Sequence, residues 1–269
     1  MASILEKTEG EINMAKIFLS VPILDRPELN FMYSMYQAIL CCPQHKIRVY
    51  FNHNDSLISR VRNVHMSTFL HDFPDCDYFM SLDSDIEVVN CYPNNNIFSK
   101  LIGHNVDFVG GLYAIKKPGV RRSSSITMDG KAADFDSGLA EMRWLSSGCW
   151  CVSRAAVEKM AKAYPELDYD GDDNATGKKI HGLYIPMLYD LKKDDFQNVE
   201  LPFRKYLSED WSFCERWKML GGKIFADTSI VLKHIGKTEY TLWDVDVVKT
   251  QASQQPNVPA PGFDLPKGK

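Results

Sequence analysis

Two aspartates one residue apart follow a short apolar run in the segment Tyr78-Phe79-Met80-Ser81-Leu82-Asp83-Ser84-Asp85. The apolar run is typical of a strand buried in a parallel sheet. Side chains at positions i and i+2 of an extended segment point the same way, so Asp83 and Asp85 are expected to converge at the carboxyl end of that strand. Hard divalent cations prefer such oxygen ligands. The stretch therefore indicates either a metal site or a polar loop after a strand.

The elements that must position these aspartates alternate between strand and helix patterns. Strands are predicted at residues 16–21 and 47–51, and apolar residues recur at helical spacing over 29–40 and 57–68. This β-α-β-α-β order predicts a parallel sheet with right-handed crossovers, with the aspartates at the end of its third strand.

The second half of the chain is less regular. The patterns predict strands at 106–113, 144–152 and 223–226, and helices at 94–103, 153–163, 209–220 and 241–251. Residues 164 to 206 are irregular and charged, which is typical of a binding element or a mobile lid.

Further polar residues could join the aspartates in one site. His234 follows an apolar strand and could add an imidazole to the metal, while Gly236 and Lys237 suggest a turn that admits a phosphate. Arg60, Arg62 and Lys237 are candidate partners of a diphosphate.

Two acids open a predicted helix late in the chain. Asp210 is a candidate general base, with Glu209 beside it and Ser208 as the N-cap. Both acids could instead serve only the helix dipole, because carboxylates are favourable in a first turn.

Composition restricts the class of protein. The chain has 269 residues, 45% of them hydrophobic and 25% charged, with a net charge of −4. These values predict an ordinary soluble globular protein with no general attraction to nucleic acid. The seven cysteines include no Cys-x-x-Cys pair, and no apolar stretch is long enough to span a membrane. Reduced cysteines and the lack of a signal peptide predict a cytoplasmic protein.

Four motifs in order resemble the glycosyltransferases of the GT-A fold. They are residues 55–63 (Asp-Ser-Leu-Ile-Ser-Arg-Val-Arg-Asn), Ser81-Leu82-Asp83-Ser84-Asp85, Ser208-Glu209-Asp210 and Lys233-His234-Ile235-Gly236-Lys237. The resemblance covers about residues 15 to 245 and implies a Rossmann-like α/β fold with a mostly parallel central sheet flanked by helices and an acceptor-side subregion. It implies that a nucleotide diphosphate sugar, most readily a UDP-sugar, lies across the carboxyl ends of the strands and that the chain is a hexosyl- or pentosyltransferase.

The resemblance also implies roles for particular residues. Asp83 and Asp85 would hold Mn²⁺ or Mg²⁺, and His234 would complete the metal shell. Asp210, with Glu209 as its neighbour, would act as the base, which makes the attack direct and inverts the anomeric centre, although retaining members also carry acids here. The candidate donor-binding residues are Ser20, Val21, Pro22, Asp55, Arg60, Arg62, Asn63, Ser84 and Lys237.

The acceptor is less well defined. An apolar platform for a sugar ring or a nucleobase could be formed by Trp144, Gly148, Trp150 and Trp211, although tryptophans are also common in cores. The acceptor hydroxyl could belong to a glycan, a protein, a small molecule or a hydroxylated DNA base. The basic turn at residues 116–122 favours DNA, and the negative net charge disfavours it.

Two other functions compete with glycosyl transfer. A sugar-1-phosphate nucleotidyltransferase needs a glycine-rich basic loop after the first strand, where this chain has residues 21–27, Val-Pro-Ile-Leu-Asp-Arg-Pro. A catalytically silent nucleotide- or carbohydrate-binding module remains an alternative.

The predicted domain organisation is simple. A lead-in at residues 1–14 precedes one catalytic domain at 15–253, with a nucleotide-sugar half at 15–113 and an acceptor half at 114–253. A proline-rich flexible tail follows at 254–269.

Overall fold

A computed structural model of the protein describes residues 14–52, 55–128, 138–171, 178–191, 203–236 and 239–242. The helices within these ranges are α1 (Leu29–Leu40), α2 (Ile58–Asp72), α3 (Ile97–Gly103), α4 (Arg154–Ala163) and α5 (Glu209–Met219), with a 3-10 turn at Pro165–Leu167. The strands of the first half are β1 (Lys16–Val21), β2 (Lys46–Phe51), β3 (Tyr78–Leu82), β4 (Ile86–Val88), β5 (Cys91–Tyr92), β6 (Asn95–Asn96), β7 (Phe108–Gly111) and β8 (Ile126–Thr127). Those of the second half are β9 (Leu139–Trp144), β10 (Cys149–Ser153), β11 (Asp168–Asp170), β12 (Lys179–His181), β13 (Met187–Asp190), β14 (Arg204–Leu207), β15 (Ile224–Asp227), β16 (Leu232–Ile235) and β17 (Glu239–Thr241).

The central sheet has eight strands in the order β2-β1-β3-β10-β7-β15-β9-β8. β1 is parallel to β2 and β3, and β7 is parallel to β15. β10 and β9 run against their neighbours. The other six strands all run in one direction, which confirms the predicted Rossmann-like GT-A architecture, a mostly parallel sheet flanked by helices.

Two hydrophobic clusters cover the two faces of the sheet. Successive side chains of β1 point to opposite faces and so enter different clusters. Phe18 belongs to one cluster, whereas Ile17, Leu19 and Val21 belong to the other. α2, α4 and α5 contribute buried residues to the Phe18 side, and α1 and α3 contribute to the opposite side. In the described part of the chain, no helix combines the length and the apolar character that crossing a membrane requires.

Three predicted elements differ from the structure. The predicted strand 144–152 is two strands, β9 and β10, because residues 145–148 turn the chain so that β10 enters the sheet between β3 and β7. The described parts of residues 164–206 contain two hairpins, β11–β12 and β13–β14. The helix predicted at 241–251 starts on the last residue of β17, and from residue 243 onward it lies outside the described residues, as do residues 1–13 and 254–269.

A second, three-stranded sheet in the order β17-β16-β4 positions the candidate site. β4 directly follows the two aspartates, and β16 pairs with it so that His234 lies opposite Ile86. The Ile235 N–H also donates to the Asp85 carbonyl at 2.8 Å. This pairing joins the late His motif to the Asp motif across about 150 residues of sequence.

Candidate functional site

The residues Asp83-Ser84-Asp85 form a turn between β3 and β4. The Ile86 N–H donates to the Asp83 carbonyl at 3.0 Å, and the Glu28 N–H, just before α1, donates to the Ser84 carbonyl at 2.9 Å. The expectation that Asp83 and Asp85 converge assumed an extended segment, and a turn does not meet that condition. Each carboxylate consequently has its own set of partners.

Both aspartates nevertheless line one cavity of about 250 Å³ at the carboxyl ends of β1 and β3. Its remaining walls come from the end of β1, the loop after it and the start of α2. The lining residues are Pro22, Ile23, Leu24, Asp55, Ser56, Ile58, Val61, Arg62, Asp83, Ser84 and Asp85. The structure thus brings together six of the predicted site residues, Pro22, Asp55, Arg62, Asp83, Ser84 and Asp85, at the edge where open α/β sheets bind ligands.

Asp83 is held by Arg62, which projects from α2 and is only 4% exposed. The guanidinium donates to both Asp83 oxygens, at 2.9 and 3.1 Å, and its Nε lies 3.7 Å from Glu209 Oε1. Burial acts to lower the pKa of Arg62, but the charges of Asp83 and Glu209 raise it above its ordinary value. Arg62, predicted to bind a diphosphate, is therefore a fixed cation between two carboxylates.

Asp85 faces a different pair of groups, His234 and Lys116. Its Oδ2 lies 3.5 Å from His234 Nε2 and 2.5 Å from Lys116 Nζ. Burial acts to raise the pKa of Asp85, but the neighbouring His234 and Lys116 hold it below its ordinary value. His234 lies within β16 rather than after it, because β4 extends its pairing as far as that residue.

The orientation of His234 suits a metal ligand. Its Nδ1 lies 2.8 Å from the Ala114 carbonyl oxygen, which only accepts, so Nδ1 carries the proton. In the neutral ring the lone pair is then on Nε2, the nitrogen that faces Asp85. A backbone carbonyl behind a histidine is a common support for metal ligation.

The protein donors for a cation are few. Among the described residues, no group of three or more His, Cys, Asp or Glu side chains is arranged to hold a metal. Asp85 and His234 form a two-donor set, which fits a Mn²⁺ or Mg²⁺ ion that takes its other ligands from water and phosphate oxygens. The Lys116 ammonium, 2.5 Å from Asp85 Oδ2, already provides that carboxylate with one positive charge.

Glu209 and Asp210 lie at the start of α5, as predicted. Ser208 is the N-cap residue; its side chain accepts no capping bond, and its hydroxyl donates to Asp210 Oδ1. The Trp211 N–H donates to the same oxygen at 2.8 Å. Burial raises the pKa of Asp210, and burial together with repulsion by Asp210 raises the pKa of Glu209.

Several predicted donor-binding residues are occupied within the protein. Arg60 pairs with Asp55 through two bonds of 2.8 and 2.9 Å, and the Ser20 hydroxyl lies 2.7 Å from His65 Nδ1. Asn63 accepts a bond of 2.7 Å from the Tyr184 N–H, and Val21 is a core residue. Pro22, which directly follows β1, lines the cavity. Lys237 lies outside the described residues.

The predicted tryptophan platform does not form. Trp144 and Trp150 are fully buried in the core and present no face to an acceptor. Trp211 is partly buried and stacks on Trp144 with ring centroids 4.6 Å apart. Gly148 has a packing role, because a Cβ there would lie 2.6 Å from the Tyr113 hydroxyl oxygen.

Sequence reasoning missed two residues of the site. Tyr113 accepts a bond of 2.9 Å from the Gly148 N–H, and its ring packs edge-on against His234 at 5.2 Å. Lys116 belongs to the basic turn that suggested an anionic ligand, but only the fold shows that its ammonium reaches Asp85. No local pattern distinguishes either residue.

Comparison with known proteins supports the fold alone. No protein-family model matches the chain, and no curated protein matches it. The crystal structure of A197 from STIV is similar over 86% of this chain and 95% of that one, with a TM-score of 0.52 and 16% identity. A glycosyltransferase involved in the glycosylation of the major capsid of PBCV-1 aligns over 55% of this chain and 66% of that one, with 15% identity and a TM-score of 0.32, too low to bear on function. The chain is thus similar in fold to A197, and its activity must be inferred from the site.

Proposed function

We propose that this protein is a metal-dependent glycosyltransferase that moves a sugar from a nucleotide diphosphate sugar, most readily a UDP-sugar, to an acceptor hydroxyl. The observation that carries the proposal is the Asp85–His234 pair, in which a histidine with Nδ1 bound to a carbonyl directs Nε2 toward a carboxylate at the cavity. The order of the four motifs along the chain supports the same reading.

We place the diphosphate of the donor beside Asp85, His234 and Lys116. Asp85 and His234 would hold Mn²⁺ or Mg²⁺, which when bound supplies positive charge to the leaving diphosphate. Lys116 adds a second positive charge at the same place, because its side chain need only turn from Asp85 to a phosphate oxygen. Pro22, Ile23 and Leu24 also line the cavity and offer an apolar wall to the nucleoside.

Asp210 is the proposed general base. Its Oδ1 is taken by the Ser208 hydroxyl and the Trp211 N–H, which leaves Oδ2 to accept the proton of the acceptor hydroxyl. The acceptor oxygen then bonds to the anomeric carbon as the bond from that carbon to the diphosphate breaks, with inversion. A raised pKa makes Asp210 a stronger base at neutral pH than an exposed aspartate.

The hairpin before the acids offers an acceptor surface in place of the tryptophan platform. Leu188 of β13 and Tyr206 of β14 are cross-strand partners, 62% and 65% exposed, and β14 runs directly into Ser208 and the acids. Such an exposed apolar pair suits the apolar face of a sugar ring. The acceptor hydroxyl belongs to a glycan, a protein, a small molecule or a hydroxylated DNA base.

A catalytically silent nucleotide- or carbohydrate-binding module is the second candidate. It is favoured by the Lys116–Asp85 contact and by the absence of a group of three metal-binding side chains among the described residues. A lysine that permanently replaces the metal would leave a site that binds phosphates but does not activate them.

A thermal-shift screen of nucleotide diphosphates and their sugars, with and without Mn²⁺, tests the proposal. A ligand at one hundred times its Kd stabilises the folded state by about 2.7 kcal/mol. We expect one nucleotide to raise the melting temperature only when Mn²⁺ is present, and His234→Ala to abolish that response. A response that needs no metal and survives His234→Ala would favour the silent module. No response to any nucleotide would contradict the glycosyltransferase proposal and favour a silent module that binds carbohydrate alone.

A further inference from the structure

One face of α1 is apolar and exposed. Leu29, Tyr33, Tyr36 and Leu40 are 81%, 65%, 51% and 47% exposed, whereas Phe31, Met35 and Ala38 on the opposite side are buried in the core. The helix contains no charged residue over its whole length. A surface helix of a globular protein usually places charged side chains on its outer face, so this stripe suggests a docking surface.

The four exposed residues form one straight stripe. Their spacing of four, three and four residues places them within about 60° of one another around the helix, over a length of about 16 Å. This is the spacing of a coiled-coil seam, in which alternate positions three and four residues apart face a second helix.

The stripe also reads the same from both ends, Leu-Tyr-Tyr-Leu. A two-fold axis through its centre sets Leu29 against Leu40 of the partner subunit, and Tyr33 against Tyr36 of the partner subunit. A two-fold interface requires this reciprocity, since residue i must contact j while j contacts i. The central tyrosines would form aromatic pairs. No charge on α1 is desolvated by the contact.

We propose that α1 is a homodimer interface, in which the stripe packs antiparallel against the same stripe of a second copy of this chain. Stable interfaces bury about 800 Å² per partner, which is more than a three-turn helix face provides. The dimer is therefore weak and concentration-dependent.

Sedimentation velocity over a concentration series tests the dimer. The wild-type chain should shift from monomer to dimer as its concentration rises from about 1 μM to 1 mM, the range of a small interface. The double variant Tyr33→Glu with Tyr36→Glu places like charges in the seam and should remain monomeric throughout. Met219→Glu on α5 changes a residue that is 61% exposed and should dimerise as the wild type does.

Cross-linking tests the antiparallel direction. All seven native cysteines are buried, so cysteines introduced at the stripe should react first with a short bis-maleimide. Leu29→Cys and Leu40→Cys chains should cross-link when mixed, and neither should do so alone. Cross-linking of each variant with itself would overturn the antiparallel arrangement. The dimer would be overturned if the wild-type chain stayed monomeric or if the double variant still dimerised. It would also be overturned if the melting temperature of the double variant lay well below that of Met219→Glu, because such a loss would show that the stripe is covered within one chain.

Discussion

The two aspartates of the central motif lie one residue apart, yet they belong to two unlike regions. The inner region consists of Arg62, Asp83 and Glu209, where a guanidinium that is 4% exposed holds one carboxylate through two bonds and lies 3.7 Å from the other. The outer region consists of Asp85, Lys116 and His234, whose side chains are 17% to 36% exposed. The same residue type therefore has different electrostatic surroundings on the two sides of Ser84.

The two regions differ in the role that their charges suit, structural support in the inner region and ligand binding in the outer region. A buried charge without a partner is costly, so the buried Arg62 depends on Asp83 and Glu209, whose side chains are 24% and 20% exposed. The outer charges are partly hydrated, and exchange of one cation for another costs less there. The inner region is thus suited to fixing α2, the end of β3 and α5 in place, and the outer region to changing partners when a ligand binds.

Arg62→Met should have the largest effect on stability. The substitution leaves Asp83 and Glu209 without their cation, and removal of one partner of a buried ion pair costs about 3–5 kcal/mol. Urea denaturation of both proteins measures this loss.

Arg60→Met is the matched control for Arg62→Met, because Arg60 makes a two-bond pair with Asp55 but its side chain is 46% exposed. An exposed pair contributes about 0–1 kcal/mol, so the control should unfold at nearly the wild-type urea concentration. Equal losses for the two variants would erase the distinction between the inner region and the surface.

Asp210→Asn should separate catalysis from stability. Loss of a general base lowers the rate by about 10²–10⁴-fold, while the amide oxygen still accepts from Ser208 and Trp211. Burial raises the pKa of Asp210, so its contribution to stability is present below the pKa of an unfolded aspartate and is lost as pH rises through the folded value. The variant should therefore melt at a higher temperature than the wild type near pH 7 and at the same temperature near pH 3.

Activity assays and melting curves at the two pH values check the Asp210 prediction. The wild-type rate should also fall as pH drops through the raised pKa, at a higher pH than for an exposed aspartate. Full activity of Asp210→Asn would remove this residue from the mechanism.

Asp85→Asn and Asp83→Asn should differ in which property they change. Asp85→Asn removes a proposed metal ligand and should weaken Mn²⁺ binding by at least about tenfold to a hundredfold, with little loss of stability. Asp83→Asn should lower stability, because it leaves the buried Arg62 charge short of a partner.

Titration calorimetry with Mn²⁺ and urea denaturation of both variants test the pair Asp83 and Asp85. Equal loss of Mn²⁺ affinity in the two proteins would mean that both carboxylates hold the metal, as the Asp-x-Asp resemblance implies, and that the distinction drawn between them is wrong.

Lys116→Ala should have the smallest effect. Its ammonium shares Asp85 Oδ2 with any incoming cation, so its removal should strengthen Mn²⁺ binding in the absence of nucleotide by up to about tenfold, which is 1.4 kcal/mol. The same variant should bind the nucleotide diphosphate less tightly, because one positive charge near the phosphates is lost. Calorimetry with Mn²⁺ alone and with Mn²⁺ plus nucleotide distinguishes the two effects, and Lys117→Ala is the neighbouring control. Unchanged Mn²⁺ affinity would show that Lys116 does not compete for Asp85.

Much of the fold and part of the site could be read from local patterns. The alternation of apolar runs at periods of two and 3.6 predicted β1, α1, β2, α2 and β3, because each period is set by backbone geometry within one element. The abrupt change from Leu82 to Asp83 marked the end of the third strand correctly. The choice between platform and core for the tryptophans could not be made from sequence, because composition does not show burial, and Trp144 and Trp150 lie in the core.

Which side chains bond to one another could not be predicted in the same way. The Arg62–Asp83 bond spans 21 residues, the Lys116–Asp85 bond 31 and the His234–Ala114 bond 120. Nothing in the local sequence distinguishes Arg62 from Arg60, but α2 directs one inward to Asp83 while the other bonds Asp55 near the surface.

The sequence by itself determined the order of the first five elements, β1 to β3, the position of the acidic motif at the end of a buried strand and the acids at the start of α5, because these follow from short-range periodicity and helix-terminus preferences. Only the tertiary structure decided that Asp83 is bound to a buried arginine while Asp85 faces His234 and Lys116. That choice depends on which charges the packed sheets and helices bury together, and pairing between distant strands is what brings those charges into contact.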